Sequence, residues 1–334
     1  MRIGALAAAI LLGLATLVNA APFDPGVVAA DAKWVVHLDV DSMRSSAVVK
    51  KAYQEFVEKC PIAKIALPML DNSRTLIGMD PRKDLQGVTL YGSQIGKHEG
   101  VLIVFADADR ELLTKKVKKA PGYESSTHGS YELHSWTHKD RRGKRPVTGA
   151  FYNDKVMVFS GSKAEVKAAL NVMAGKTPGL TCKVLAAKVA PGTNVLARAV
   201  GIDKVETPCK SKLAKQIESV SIAVGEKNER SFLHVNVVAK SAEVAKQMGQ
   251  VAEGIRALGM LHAIEHPKDK QLVEGIKVKV AGKTATVKNS APADAVWQHM
   301  KANMKKIAER HRKMHHWRWG KKPRPTEKSE KSKK

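Results

Sequence analysis

Two hydrophobic patterns alternate along the chain and predict both strands and helices. Short apolar runs bounded by Gly, Pro, Asn or Asp are typical of strands, and apolar residues spaced by three and four are typical of amphipathic helices. The predicted strands of the first half are 33–40, 88–91, 101–105, 131–137, 147–152 and 155–160. The predicted helices between them are 46–59, 107–119 and 162–174. In the last of these, Ser162 and Glu165 form a predicted capping box.

The second half repeats this order of elements. Val88 and Val220 begin equivalent strands 132 residues apart, and Ser162 and Ser290 begin equivalent helices 128 residues apart. The predicted strands are 194–200, 220–223, 232–238, 273–280 and 283–288, and the predicted helices are 210–216, 241–261 and one from Ser290. Tight loops join antiparallel neighbours. We therefore predict an α+β fold of two similar modules, each a mainly antiparallel sheet with helices packed on one face.

The N-terminus has the three parts of a secretory signal peptide. A basic start at Arg2 precedes the uncharged run 3–18, and small residues lead to Ala20. That run has 16 residues, fewer than the roughly 20 that span a bilayer, so we expect cleavage rather than anchoring and no transmembrane segment afterwards. The expected location is secreted or periplasmic. The predicted organisation is signal peptide 1–20, linker 21–32, module 1 33–176, module 2 177–310 and basic disordered tail 311–334.

Three cysteines, Cys60, Cys182 and Cys209, occur in the chain. Disulfides persist in the oxidising conditions that an exported protein meets. Cys182 and Cys209 flank one predicted strand and its loops, so we expect these two to be bridged and Cys60 to be left over. The alternative is three free thiols. The chain has no C-x-x-C pair, so neither a redox motif nor a zinc ribbon is indicated.

Two segments of the first module resemble exported proteins of planctomycete-type bacteria. The run 30–41, which reads Ala-Asp-Ala-Lys-Trp-Val-Val-His-Leu-Asp-Val-Asp, is similar to the mature start of such proteins. The run 78–92 is similar to a later segment of the same proteins. The family has no assigned activity. The resemblance implies export and a two-module architecture, and it implies no catalytic residue.

His262, Glu265 and His266 form an H-x-x-E-H pattern, which resembles that of the inverzincin metallopeptidases. Two histidines four residues apart share a helix face and can bind Zn²⁺, and the Glu can act as general base for a zinc-bound water. Pro267 follows at once, so the pattern falls where the helix ends. The third ligand of that family, a Glu much further along, has no good counterpart. A zinc-dependent hydrolase, with Glu265 catalytic and His262 and His266 as ligands, is therefore the alternative function, and we expect no cofactor.

Asp39 and Asp41 resemble the first motif of haloacid-dehalogenase-type phosphotransferases. In that family the first Asp is the nucleophile and the second is the acid/base, at the end of a strand in a parallel sheet. The hairpins predicted here require antiparallel neighbours instead. We therefore expect Asp39 and Asp41 to end a strand and to cap the next helix.

Composition and charge narrow the function classes. Hydrophobic residues make up 43% of the 334 residues and charged residues 27%, which is enough apolar material for a core. Aromatic residues are only 5%, which argues against a carbohydrate-stacking or haem-lined protein. Lys and Arg number 57 against 32 Asp and Glu, a net charge of +25. That excess favours anionic partners.

The C-terminus concentrates this charge, since residues 301–334 hold 14 Lys or Arg and 3 Glu, a net charge of +11. Beyond Ala308 cations dominate, and we name residues 309–334 the basic arm. Trp residues between cations can bind an anionic polymer or lipid. The predicted anion-binding residues are Arg310, Arg312, Lys313, Trp317, Arg318, Trp319, Lys321 and Lys322. The alternatives are a solvated extension and a transition-metal site at His311 and His315.

The helix before the basic arm has an apolar stripe with spacings of one, three and four, which predicts one buried face. Its members are Ala293, Val296, Trp297, Met300, Met304 and Ile307. We expect the helix to dock on module 2 up to about Ala308. The function that these patterns favour is an exported, non-enzymatic binding or scaffold protein of the periplasm or cell envelope, with its basic arm on an anionic surface.

Overall fold

A computed structural model describes residues 22–60, 62–95, 100–140, 143–204, 212 and 214–304. The predicted α+β class is confirmed. In these residues the strands are β1 (Trp34–Asp39), β2 (Leu85–Gly92), β3 (Val101–Ala106), β4 (Glu124–His128), β5 (Tyr131–Asp140), β6 (Gly143–Asn153), β7 (Val156–Ser160), β8 (Thr193–Val200), β9 (Ile217–Lys227), β10 (Arg230–Ala239), β11 (Lys277–Ala281) and β12 (Thr284–Pro292). The helices are α1 (Val40–Ser45), α2 (Ala47–Lys59), α3 (Ala63–Asp71), α4 (Ser73–Ile77), α5 (Arg110–Val117), α6 (Lys163–Met173), α7 (Ala242–Glu265), α8 (Lys270–Glu274) and α9 (293–304).

All twelve described strands belong to one antiparallel sheet, in the order β11-β12-β10-β9-β8-β1-β2-β3-β7-β6-β5-β4. The sequence predicts a sheet for each module, whereas β1 pairs directly with β8, Val36 opposite Ala197, and so joins the two. Outward from this seam, the first half runs β1-β2-β3-β7-β6 and then β5-β4, and the second half runs β8-β9-β10-β12-β11. The two halves therefore share the order of their five inner strands.

Helices cover both faces of the first half of the sheet rather than one. Alternate residues of a strand point to opposite faces. Ile103 packs with Leu170 of α6 in one buried cluster, whereas its neighbour Val104 packs with Leu113 of α5 in a second cluster. The first half is thus a sheet between two packed layers, and it holds most of the large buried side chains among the described residues.

The second half buries mostly small side chains. Among the described residues after 193, the buried apolar ones are Leu196, Ala239, Ala245, Ala263, Ala285, Ala291, Ala293 and Trp297. Helix α7 lies against β10, β11 and β12. It approaches closely because Gly249 faces Val280: a Cβ on that glycine would lie 2.4 Å from Val280 Cγ2. Small residues on α7 thus allow a short helix-to-sheet distance.

Side chains from the second half hold the first helices in place. The Glu226 carboxylate accepts hydrogen bonds from the Ala47 backbone N–H at 2.6 Å and from the Ser46 hydroxyl at 2.8 Å, so it caps the N-terminus of α2. Buried Arg198 of β8 donates to the carbonyl oxygens of Leu185 and Ala187, which fixes the loop before β8 against the sheet. The two halves are therefore joined by side chains as well as by the β1–β8 ladder.

Several local predictions are wrong in detail. Ser162 precedes α6 but its side chain makes no cap, and Glu165 accepts from the Ser160 hydroxyl, which itself accepts from the Ser162 backbone N–H. The predicted strand 273–280 begins only at Lys277, because Val273 and Glu274 belong to helix α8. Helices α3 and α4 occupy a stretch whose Pro, Gly and Asp residues indicate loop, and Pro68 lies inside α3. The signal peptide, the 305–334 segment and most of the predicted helix 210–216 lie outside the described residues.

Candidate functional site

The H-x-x-E-H residues lie at the C-terminal end of α7, as Pro267 predicts. The helix ends at Glu265, and His266 follows it in a non-helical conformation. The His262 and His266 rings lie 4.3 Å apart, edge to face. His262 Nε2 lies 3.5 Å from Asp269 Oδ2, and the other oxygen of Asp269 is 2.9 Å from His299 Nδ1. Sequence reasoning missed both Asp269 and His299, which come from a 3₁₀ turn (Pro267–Asp269) and from α9.

This cluster acts as a joint between α7 and α9. The hydrogen bond from His299 and the nearby His262 hold the pKa of Asp269 below its usual range. Glu265 is exposed and takes no part in these contacts. In the described part of the chain no group of three or more His, Cys, Asp or Glu residues is arranged to hold a metal ion. The zinc-hydrolase alternative therefore gains no support from this geometry.

Asp39 has the structural role that we predict for it, whereas Asp41 does not end the strand or cap the helix, because it lies inside the first turn of α1. Asp39 ends β1 and accepts a hydrogen bond from the Ser42 backbone N–H at 2.8 Å, which caps α1. Asp41 forms an ion pair with Arg44, which also donates to the carbonyl oxygen of Pro81. Burial, with a smaller contribution from the charge of Asp41, raises the pKa of Asp39 to about 6. Because the sheet is antiparallel, the phosphotransferase arrangement is absent from the described residues.

An apolar groove of about 310 Å³ lies between α5 and the sheet. Leu113, Trp136 and Phe159 line it, and His134 lies in its wall. The His134 Nδ1 atom is 3.0 Å from the Tyr123 hydroxyl. Burial lowers the pKa of His134, so the imidazole is neutral at neutral pH. The groove can therefore take an apolar group.

Helix α9 docks on the rest of the molecule at its N-terminal end. Trp297 is only 4% exposed. Asp294 and Lys301 form ion pairs with Lys51 and Glu55 of α2, at 2.6 and 2.9 Å. The prediction that Met300 and Met304 continue the buried face is wrong, since both are exposed. The segment after residue 304 therefore starts from an anchored helix beside exposed apolar side chains.

Several predicted site residues fall outside the described part of the chain. They include every predicted anion-binding residue, from Arg310 to Lys322, as well as His311 and His315. Cys209 also falls there, whereas Cys182 is half-buried and Cys60 is the C-cap of α2. The Cys182–Cys209 bridge and the basic arm therefore remain predictions.

The largest exposed apolar surface on a single described helix is on α7, and sequence reasoning missed it. Val251, Ile255, Leu258, Leu261 and Ile264 are each more than 60% exposed, and we call them the α7 stripe. The fully buried residues of the same helix are Ala245, Gly249 and Ala263, with half-buried Met248 and Met260 beside them. The sequence signal that could have found this surface is the size of the apolar residues. Large apolar residues recur at spacings of three and four along one side of α7, whereas Ala and Gly occupy much of the other side.

Comparison with models of known protein families and with curated proteins finds no match. Among solved structures, the chain is similar to TP0453, a spirochete protein, in three crystal forms. The TM-scores are 0.41, 0.44 and 0.44, with sequence identities of 11%, 11% and 12%. The matches cover 84%, 84% and 83% of this chain and 98%, 99% and 96% of TP0453. Because all three TM-scores are below 0.5, this likeness supports no conclusion about the fold or function of this chain.

Proposed function

We propose that this chain is an exported, non-enzymatic binding or scaffold protein of the periplasm or cell envelope, and that its basic arm binds anionic surfaces. The observation that carries the proposal is the position of the charge. A net charge of +11 out of +25 lies in residues 301–334. Counter-ion release and Coulomb attraction make such a segment bind polyanions or anionic lipid.

The contacts of α9 support this role for the basic arm. Ion pairs to Lys51 and Glu55 and the burial of Trp297 hold the helix from which the arm continues. Because α9 is anchored to the rest of the molecule, binding of the basic arm to an anionic surface would hold the whole protein there. Cations outside a packed core also lose little hydration when they meet an anionic surface.

The test measures salt-dependent retention on a heparin-like resin. Deleting residues 309–334 should abolish most of the retention and leave the far-UV circular dichroism spectrum of the sheet intact. A sharper pair of variants removes four cations each. The arm variant replaces Lys321, Lys322, Arg324 and Lys328 with Gln, and its control replaces exposed Lys64, Lys144, Lys183 and Lys188 with Gln.

The arm variant should elute at clearly lower salt than its control, although both have the same net charge. Binding should weaken steeply as salt rises, because each released counter-ion adds to the salt dependence. Equal elution of the two variants would assign retention to net charge alone, and the basic arm would then be a solubilising extension.

A further inference from the structure

We propose that the α7 stripe is a docking surface for a bilayer that contains anionic phospholipids, and that it acts together with the basic arm. The inference rests on the proposed function and names the surface that the arm reaches. Helix α7 points small residues at the sheet and large apolar residues at solvent.

The exposed stripe is not a by-product of packing. A globular helix normally turns its large apolar face inward and its polar face outward. In α7, Ala245, Gly249 and Ala263 are buried, whereas Ile255 and Leu258 are 64% and 67% exposed. Contiguous exposed apolar patches mark surfaces that another apolar phase covers. The stripe runs from residue 251 to 264, which is about 20 Å at 1.5 Å per residue.

Two features argue against a second copy of the chain as the partner. The stripe is roughly 20 Å long and 10 Å wide, and a stable interface buries about 800 Å² on each partner. Two molecules that each have a charge of +25 also repel one another. An anionic bilayer attracts the protein instead, because its negative charge complements the positive net charge of the protein.

The basic arm continues from close to the end of the stripe. His262 on the last turn of α7 contacts Asp269, and Asp269 contacts His299 of α9. Met304, exposed like Met300, is the last described residue before the arm segment and lies five positions after His299. The C-terminal end of the α7 stripe and the helix that precedes the basic arm in the sequence are therefore linked through Asp269.

The α7 stripe and the basic arm supply different parts of the free energy of binding to the bilayer. Helix α7 is nearly neutral, with Lys246 and Arg256 against Glu243, Glu253 and Glu265, so it adds little long-range attraction. The basic arm supplies that attraction, and the stripe supplies apolar burial at the boundary between headgroups and acyl chains. Stable peripheral anchoring commonly needs two such signals.

The test compares two double substitutions in the full chain. The stripe variant is Ile255→Gln with Leu258→Gln. The matched control is Ile62→Gln with Ile65→Gln on the α3 segment, where the two side chains are 65% and 69% exposed. Both variants lose about the same exposed apolar area, and Gln supports a helix well. Circular dichroism and thermal unfolding check that the fold is kept.

Binding is measured by co-flotation with phosphatidylcholine vesicles that do or do not contain phosphatidylglycerol. We expect the stripe variant to bind anionic vesicles about tenfold or more weakly than the wild type and the control. The difference should be largest at high salt, where the attraction of the basic arm is screened. Retention on the heparin-like resin should be the same for all three proteins.

Three outcomes would overturn the inference while the proposed function stands. The stripe variant could bind anionic vesicles as tightly as the wild type at high salt. The control could lose as much binding as the stripe variant. A lipid-free dimer of the wild type that the stripe variant loses would assign the stripe to a second copy. If the wild type binds neither the resin nor the vesicles, the proposed function itself fails.

Discussion

The two halves of the sheet share the order of their five inner strands but bury very different side chains. Both buried apolar clusters are centred on the first half, where Ile103, Leu133 and Leu170 are fully buried, and the larger one also takes in Leu180 and Leu185 of the segment before β8. In the second half, strand β10 is half-buried along nearly its whole length, and α7 contacts the sheet through Ala and Gly. The same topology thus supports a self-sufficient core on one side of the seam and an incompletely covered layer on the other.

This difference between the two halves shows that the order of strands in a sheet does not determine how large a core packs against it. Hydrogen-bonded ladders form wherever extended segments are adjacent, and they need only backbone groups. Stability comes mostly from buried apolar area, which depends on side-chain size. The second half has the ladder without a large core, and the large apolar side chains of α7 stay on the side of the helix that faces away from the sheet.

The largest expected effect comes from truncating one apolar residue in each half. Leu170→Ala empties a fully buried site in the first half and should lower the free energy of unfolding by about 2–5 kcal/mol. Ile255→Ala removes a mostly exposed side chain in the second half and should change it by less than about 0.5 kcal/mol. Urea unfolding of both variants measures the contrast, and similar losses would mean that α7 is buried in solution.

A buried carboxylate in the first half gives the next largest effect. Asp39→Asn keeps the N-cap of α1, because Asn caps as well as Asp. Burial raises the pKa of Asp39 from 3.8 to about 6. Since the folded-state pKa is the higher one, this group favours folding at low pH, and that contribution is lost as the pH rises through about 6.

The Asp39→Asn variant should therefore be more stable than the wild type at pH 7, by roughly 1–3 kcal/mol. Its stability should also change less between pH 4 and pH 6. The control is Asp109→Asn, which alters the exposed N-cap of α5. Chemical denaturation at pH 4.5 and pH 7 measures both variants. A variant that is less stable than the wild type at pH 7 would contradict the burial argument.

Two glycines of α7 give the smallest effects and test how closely that helix approaches the sheet. A Cβ at Gly249 would lie 2.4 Å from Val280 Cγ2, whereas one at Gly254 meets nothing within 4 Å. Gly254→Ala should stabilise the protein by about 0.5–1 kcal/mol, because Ala has the higher helix propensity. Gly249→Ala should lower stability by about 1 kcal/mol, because overpacking outweighs the same gain. Thermal unfolding should place the two melting temperatures on opposite sides of the wild type, and equal shifts would show a looser contact.

Helices and strands with a clear local hydrophobic pattern can be predicted from the sequence alone. Alternating and helical periodicity predicted β1, α2, β3 and α7 to within a few residues, and Asp39 caps the helix after β1 as its position implies. These features depend on backbone propensity and on contacts a few residues apart. The hairpin pairs β2–β3, β6–β7, β9–β10 and β11–β12 also followed, because short loops join antiparallel neighbours.

How these helices and strands pack together depends on contacts between residues far apart in the chain, which only the folded structure shows. The pairing of β1 with β8 joins strands far apart in the chain, and no local pattern specifies it. The cap that Glu226 provides for α2 and the link from His262 through Asp269 to His299 also depend on long-range proximity. Hydrophobic periodicity predicted a helix at α7. It could not show that the small apolar residues face the sheet and the large ones face solvent, because the choice of face depends on how closely the helix and sheet approach.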